Sequence, residues 1–155
     1  MGLKAEIPEA PRETRGDKIM KRFDVQGIDL QATRRRAFSY IADPIHLPQW
    51  TSAFASVANG KAVMRTPNGE VEIDLVVQSS EEQGTIDWLM TFPDGSVATA
   101  FSRVVKLDSK SCVFAFVLTP PPPVPLEQLE GALEAQSRTL AEELQSLKRI
   151  LERHE

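Results

Sequence analysis

The chain has 155 residues, the size of one ordinary domain, and its 41% hydrophobic content is enough to build a core. A formal net charge of −4 argues against a dedicated nucleic-acid binder, because such proteins contact phosphates through an excess of basic groups. A single cysteine, Cys112, excludes an internal disulfide framework, and with two histidines it leaves too few ligands for a typical structural zinc site. The sequence has neither the roughly 20-residue apolar run of a membrane helix nor the apolar core of a signal peptide. We therefore expect a cytoplasmic, single-domain protein without a metal or a cofactor.

The N-terminal segment is polar and follows neither the period of a strand nor that of a helix. We expect residues 1–18 to be a disordered lead-in and residues 19–155 to form the domain. The run from Lys21 to Leu30 predicts a first strand, in which a change of apolar parity at Gly27 indicates a bulge.

Two short helices are predicted after this strand. The first covers Arg34 to Ala42 and is stopped by Asp43-Pro44, because a residue that precedes proline is driven out of the helical region. Pro44 suits the first turn of a second helix, which we expect to continue to about Ala53.

The next part of the chain, from Lys61 to Leu118, predicts five strands joined as an antiparallel meander. Asn68-Gly69 and Asp94-Gly95 are two-residue hairpin signals. Weaker turn signals lie at residues 80–83 and 108–110.

These turns predict a register, and the register decides which side chains share a face of the sheet. It pairs Trp88 with Leu75 on one side and with Phe101 on the other. One face is then apolar and the other polar, as expected for an antiparallel sheet that is covered on one side. The predicted apolar face collects Met64, Val71, Ile73, Leu75, Val77, Ile86, Trp88, Met90, Phe92, Val97 and Phe101. The last strand is ambiguous, and we place its larger side chains, Phe114, Phe116 and Leu118, on the same face.

Three polar residues, Thr66, Thr99 and Arg103, fall on this apolar face, and the two threonines can satisfy their hydroxyl groups locally. A buried guanidinium needs a carboxylate, a ligand anion or water. Arg103 therefore either extends to solvent from the strand end or contacts a polar group of a ligand inside a cavity.

The C-terminal part begins with a proline-rich segment, residues 120–125. We expect a rigid spacer there, with a ligand for a proline-recognising domain as the alternative. The stretch from Leu126 to His154 predicts one long helix, because its leucines recur at steps of three, four or seven residues. This leucine stripe predicts packing on the sheet, and a coiled-coil seam is the alternative.

The order of elements resembles the START-like, Bet v 1-like superfamily, also called the helix-grip or polyketide cyclase/dehydrase (SRPBCC) fold. Residues 28–30, Phe38–Pro44 and Leu47–Trp50 resemble its N-terminal signature, in which a strand leads to a helix, an Asp-Pro stop and then a proline and a tryptophan. The resemblance covers roughly residues 19–154. It departs at Arg34–Arg36, where relatives often carry proline or acidic residues. We expect a solvated patch there rather than an anion site.

The resemblance implies an α+β fold in which a curved antiparallel sheet wraps around a long C-terminal helix, with two short helices after the first strand. It also implies an internal cavity for a hydrophobic small molecule such as a lipid, sterol or polyketide. The residues predicted to line the cavity or contact the ligand are Tyr40, Trp50, Leu75, Trp88, Met90, Thr99, Phe101, Arg103, Leu133 and Leu140.

Two other functions remain open at the level of sequence. An enzyme of the polyketide cyclase/dehydrase type would use Arg103 to stabilise an enolate-like anion and His46 to move a proton. An interaction module would have a filled core and would bind a protein, or a second copy of itself, through the proline-rich segment or the long helix. The volume of the cavity discriminates between a ligand-binding protein and a filled core.

Overall fold

The computed structural model describes residues 22–66, 68–119 and 126–153, and the side chains of the last range from residue 133 onward. The predicted lead-in, residues 1–18, and the proline-rich segment, residues 120–125, lie outside the described residues.

The order of elements follows the prediction apart from one additional strand after the short helices. Strand β1 (Asp24–Leu30) leads to helix α1 (Arg34–Ala42), a 3-10 turn (Pro44–His46) and helix α2 (Leu47–Trp50). Strands β2 (Phe54–Ala58), β3 (Lys61–Thr66), β4 (Gly69–Ser80), β5 (Thr85–Thr91), β6 (Val97–Asp108) and β7 (Ser111–Leu118) follow, and helix α3 (Leu126–Glu152) comes last. The strands form one antiparallel sheet in the order β1-β7-β6-β5-β4-β3-β2. The predicted helix-grip α+β fold is confirmed.

The start of α1 is held by its cap and by its first arginine. Thr33 Oγ1 accepts a hydrogen bond from the backbone nitrogen of Arg36 at 3.1 Å, which satisfies one free donor of the first turn. The guanidinium of Arg34 donates to the carbonyl oxygens of Glu81 and Val104. The expected solvated patch is therefore only partly correct, because Arg34 joins the helix to the β4–β5 turn and to β6.

The first strand contains no bulge, so the prediction at Gly27 is wrong. The pairing of β1 with β7 runs without a shift from Asp24 opposite Leu118 to Leu30 opposite Cys112. The side chains of Phe23 and Val25 point to solvent and are each 55% exposed.

Strand β2 was not predicted, although its turn carries a clear signal. Asn59 and Gly60 have φ values of 53° and 78°, as a two-residue turn of the type I′ class requires. The turn connects β2 to β3, and β2 forms an edge of the sheet.

The next two hairpins differ from the predicted register by two residues. Met64 lies opposite Val71, and Leu75 lies opposite Met90. Because side chains alternate with a period of two, a shift of two residues leaves every side chain on its predicted face.

The β5–β6 hairpin differs from the predicted register by one residue, which reverses the faces of β6. Its turn has three residues, Pro93 to Gly95: the backbone nitrogen of Gly95 donates to the carbonyl of Phe92 at 2.9 Å, and Gly95 has a φ of 89°. Proline favours the first central position of such a turn because its ring fixes φ near −65°.

The consequence is that Trp88 faces Ala100 instead of Phe101. Phe101 and Val97 are 43% and 51% exposed on the outer face. Arg103 is also exposed, and its Nε donates to the carbonyl of Gln83 at 3.2 Å. Their predicted inward positions are wrong.

The core lies between the inner face of the sheet, the short helices and α3. Phe114 and Phe116 of β7 are buried as predicted, and Cys112 is fully buried among apolar groups. The part of the leucine stripe from residue 140 onward belongs to the same core, so this part of the helix packs on the sheet as predicted. The buried leucines of α3 in this core are Leu140, Leu144, Leu147 and Leu151.

Candidate functional site: a cavity between the sheet and the last helix

A cavity of about 210 Å³ lies between the inner face of the sheet, α2 and α3. Its lining is mostly apolar. The lining residues are Leu47, Trp50, Thr51, Ala53, Phe54, Met64, Trp88, Met90, Phe92, Ala98, Thr99, Ala100, Phe116, Val117, Leu118, Thr119, Gln136, Leu140 and Glu143. The described part of the chain therefore does not fill its own interior.

One wall of the cavity is formed by α3. Gln136, Leu140 and Glu143 are spaced by four and three residues, which places them on one face of a helix. The amide oxygen of Gln136 is buried and has no hydrogen-bond partner among the described residues.

The facing wall is aromatic and carries two hydrogen-bond donors. Trp50 comes from α2 and Trp88 from β5, and they are only 4% and 3% exposed. Within the described structure, neither indole nitrogen has a hydrogen-bond partner. The rings of Trp88 and Phe116 stack at 5.8 Å, and Phe114 connects Phe116 to Trp50 through edge-to-face contacts. An indole N–H can only donate, so each nitrogen is a buried donor without an acceptor among the described residues.

Glu143 places a carboxyl group beside this apolar space. Its Oε2 accepts hydrogen bonds from the backbone nitrogen and the hydroxyl of Ser52, at 2.7 and 2.9 Å. Burial raises the pKa of the Glu143 carboxyl above its ordinary value, and the hydrogen bonds from Ser52 and Ala53 oppose the rise only in part. The site thus holds a carboxyl group whose charged form is poorly solvated.

Solved structures with the same arrangement of elements decide the fold. The Zhui aromatase/cyclase from Streptomyces sp. R1128 superposes with a TM-score of 0.65 at 13% identity, over 85% of this chain and 94% of that one. The chain has the START-like fold. A START superfamily protein from Mycobacterium smegmatis superposes with a TM-score of 0.63 at 13% identity, over 87% of this chain and 100% of that one.

A third solved structure shares the START-like fold. Truncated norcoclaurine synthase from Thalictrum flavum superposes with a TM-score of 0.56 at 14% identity, over 86% of this chain and 96% of that one. The sequence matches no protein-family model and no curated protein. At identities this low the likeness establishes the fold, and the chemistry of the site has to be argued from this chain's own residues.

The START-like cavity contains half of the residues predicted for it. Trp50, Trp88, Met90, Thr99 and Leu140 line it. Leu75 and Leu133 are buried, at 5% and 1% exposure, but they are not among the lining residues. Phe101 and Arg103 lie on the opposite face of the sheet, for the reason given above.

Tyr40 and His46 lie together outside this START-like cavity, in a shallow groove between α1 and the end of α3. Their rings stack with centroids 4.0 Å apart. The Tyr40 hydroxyl donates to Gln49 Oε1 at 2.6 Å, and His46 Nδ1 lies 2.8 Å from the carbonyl oxygen of Tyr40. The two side chains that the enzyme hypothesis assigned to chemistry, His46 and Arg103, are therefore not brought together in the cavity.

The described residues contain no cluster of three His, Cys, Asp or Glu side chains that could hold a metal ion. Nor is any helix of the described ranges long and apolar enough to cross a membrane.

The functional residues that the sequence prediction missed are Gln136 and Glu143. A signal for them is present in the leucine pattern of α3. Leucines recur every seven residues at 126, 133, 140 and 147, and the positions three residues later are Leu129, Gln136, Glu143 and Ile150. Polar residues at the middle two of these positions interrupt an otherwise apolar stripe, at the place where the cavity lies.

Proposed function

We propose that the protein binds a small, mainly apolar molecule in the cavity between the sheet and α3. The observation that carries this proposal is a set of three buried polar atoms in residues that line the cavity. They are the indole nitrogens of Trp50 and Trp88 and the amide oxygen of Gln136, none of which has a partner among the described residues. An unsatisfied buried polar group costs about 1–3 kcal/mol, and buried polar groups in folded proteins nearly always have a partner. A ligand whose binding moves these side chains enough to pair with the three atoms removes the cost.

The volume limits the size of this ligand. An engineered cavity of about 150 Å³ is known to hold benzene. A cavity of about 210 Å³ accommodates a molecule of one or two rings, or one end of a larger molecule. The class of lipid, sterol or polyketide implied by the resemblance is thereby narrowed to compact ring compounds or to one end of a longer chain.

The donor pattern limits the chemistry of the ligand. Two indole N–H groups require acceptors, such as carbonyl, hydroxyl or ether oxygens. The Gln136 amide can accept or donate. An aromatic-rich wall adds contacts with a flat ring, since aromatic pairs are worth about 0.5–1.5 kcal/mol beyond the area that they bury. We therefore expect a ring compound with one or two oxygen substituents.

Tryptophan emission gives a direct test, because both tryptophans of the chain line the cavity. We expect a panel of one-ring and two-ring alcohols, ketones and amines to include members that change the emission saturably. Ala100→Leu should abolish the change, because Ala100 lines the cavity opposite Trp88. Ala115→Leu, on the outer face of β7, is the matched control and should bind normally.

A native mass spectrum of the protein purified from its own cells, followed by extraction of the bound compounds, would identify the natural ligand. No saturable response to any member of the panel, or a response unchanged in Ala100→Leu, would contradict the proposed function.

A further inference from the structure

The described lining of the cavity contains an acidic side chain and no basic one. Glu143 is the ionisable side chain among its described lining residues, and that lining includes neither lysine, arginine nor histidine. The rest of the lining contributes aromatic faces instead. The lining aromatic residues are Trp50, Phe54, Trp88, Phe92 and Phe116.

A carboxyl group and several aromatic rings favour the same kind of ligand. The face of an aromatic ring carries negative partial charge and attracts cations, most strongly for tryptophan. A carboxylate in a poorly hydrated site gains most from a partner of opposite charge, because the interaction is weakly screened there. An anionic ligand would meet repulsion from both.

No cation among the described residues forms an ion pair with the carboxylate of Glu143. The ion pairs found among the described residues join Lys61 to Asp74 and Lys148 to Asp29 and Glu152, and none involves Glu143. Its neighbour on α3, Glu142, is exposed and adds further negative charge.

On the sheet side, Arg65 of β3 is the nearby cation. It is exposed, and its Nη1 donates to the carbonyl oxygens of Ser52 and Phe54 at 3.0 and 3.5 Å. From α2, β5, β6 and β7 the cavity receives only uncharged lining residues among those described. The carboxyl group of Glu143 thus has hydrogen-bond donors from Ser52 and no ion-pair partner in the described structure.

We infer that the ligand of this cavity is an organic cation, a ring compound with a protonated amine that pairs with the carboxylate of Glu143. The aromatic rings of Trp50 and Trp88 pack against the rest of the molecule. This inference rests on the proposed function and adds the charge of the ligand to it.

Three probes of nearly equal shape test the charge. They are 4-methoxybenzylamine, the neutral 4-methoxybenzyl alcohol and the anion 4-methoxybenzoate. We expect the amine to bind about tenfold to a hundredfold more tightly than the alcohol, because hydrogen bonds between charged groups are stronger than those between neutral groups. We expect 4-methoxybenzoate to bind most weakly. Calorimetry and tryptophan emission both measure these affinities in the full-length protein.

Glu143→Gln keeps the shape of the side chain and one acceptor oxygen for Ser52, and it removes the charge. It should reduce the preference for the amine over the alcohol to about threefold or less, while Glu142→Gln, one residue away and exposed, should leave the preference unchanged. The unmodified protein provides a second measurement in case the variant does not fold. Its affinity for the amine should rise with pH as Glu143 ionises, whereas its affinity for the alcohol should not rise.

The outcomes separate the two proposals. Equal binding of amine and alcohol, or an amine preference that survives in Glu143→Gln, overturns the inference and leaves the binding function standing. Absence of binding for these probes and for the whole panel removes the binding function and the inference with it.

Discussion

Replacement of Ala100 by leucine tests whether the interior is open. An open cavity predicts a gain in the free energy of unfolding, and a filled interior predicts a loss. Ala100 is half-buried on the inner face of β6, opposite Trp88, and lines the cavity. Leucine adds three carbon atoms. At about 0.8 kcal/mol for each buried methylene group the gain is about 2.4 kcal/mol, and loss of leucine rotamers removes about 0.5–1 kcal/mol. We expect the variant to be more stable by about 1.5 kcal/mol, because a cavity of about 210 Å³ has room for the added atoms.

Urea unfolding followed by circular dichroism measures this change in the free energy of unfolding. Ala62→Leu is the matched control, since Ala62 is 2% exposed in the same core and does not line the cavity. Overpacking there should cost about 1–3 kcal/mol. If Ala100→Leu destabilised the protein as much as Ala62→Leu, the interior would be filled and the reasoning about the cavity would be refuted.

Three further predictions concern single side chains. Gln136→Leu should stabilise the ligand-free protein by about 1–3 kcal/mol in urea unfolding, because it removes a buried amide oxygen that has no partner among the described residues, and it should weaken probe binding; a loss of stability would show that this oxygen is satisfied. Gly84→Ala should cost about 2–5 kcal/mol, because a Cβ there would clash with the carbonyl oxygen of Val104. Gly60→Ala, at the same φ of 78° but in open space, should cost only about 1–2 kcal/mol; equal costs would contradict the contact. The raised pKa of Glu143 implies that ionisation of this carboxyl group opposes folding. The stability of the ligand-free protein relative to Glu143→Gln should therefore fall as pH rises from the ordinary pKa of 4.5 through the raised pKa. A stability difference that does not depend on pH would contradict burial of the charge.

Most of the fold could be predicted because it depends on patterns that are strong and local. The Asp43-Pro44 stop defines the end of α1, and the leucine period defines α3 over nearly its full length. Alternation with a period of two gave correct faces for β4 and β5 even where the register differed by two residues. Errors of even size have no effect on the face that a side chain occupies.

The prediction failed where one residue decided the outcome. The pair Asp94-Gly95 predicts a two-residue turn, but Pro93 takes the first position of a three-residue turn. The predicted turn therefore exchanges the inner and outer faces of β6, and it places Phe101 and Arg103 in a cavity that they do not reach. The flanking apolar pattern did not reveal the error, because Val97 and Phe101 are apolar although they are exposed.

The polar groups of the candidate site could not be predicted from the local sequence pattern for a different reason. The surroundings of Glu143 are set by Ser52, which is 91 residues away in the chain. The indole nitrogens of Trp50 and Trp88 have no partner among the described residues, which also cannot be read from neighbouring residues in the sequence. The interruption of the leucine stripe at Gln136 and Glu143 shows where polar residues replace leucine. Only the packing of the helix against the sheet shows that these residues line a cavity.

The distribution of polar groups between the two walls has a mechanical consequence. The donors, Trp50 and Trp88, belong to α2 and the sheet, whereas Gln136 and Glu143 belong to α3. A ligand that uses both sets acts as a non-covalent cross-link between helix and sheet, so that occupancy of the cavity and attachment of the helix become coupled equilibria. Backbone amides of α3 should then exchange with solvent more slowly when the cavity is occupied. Conversely, any force or partner that lifts this helix would release the bound molecule.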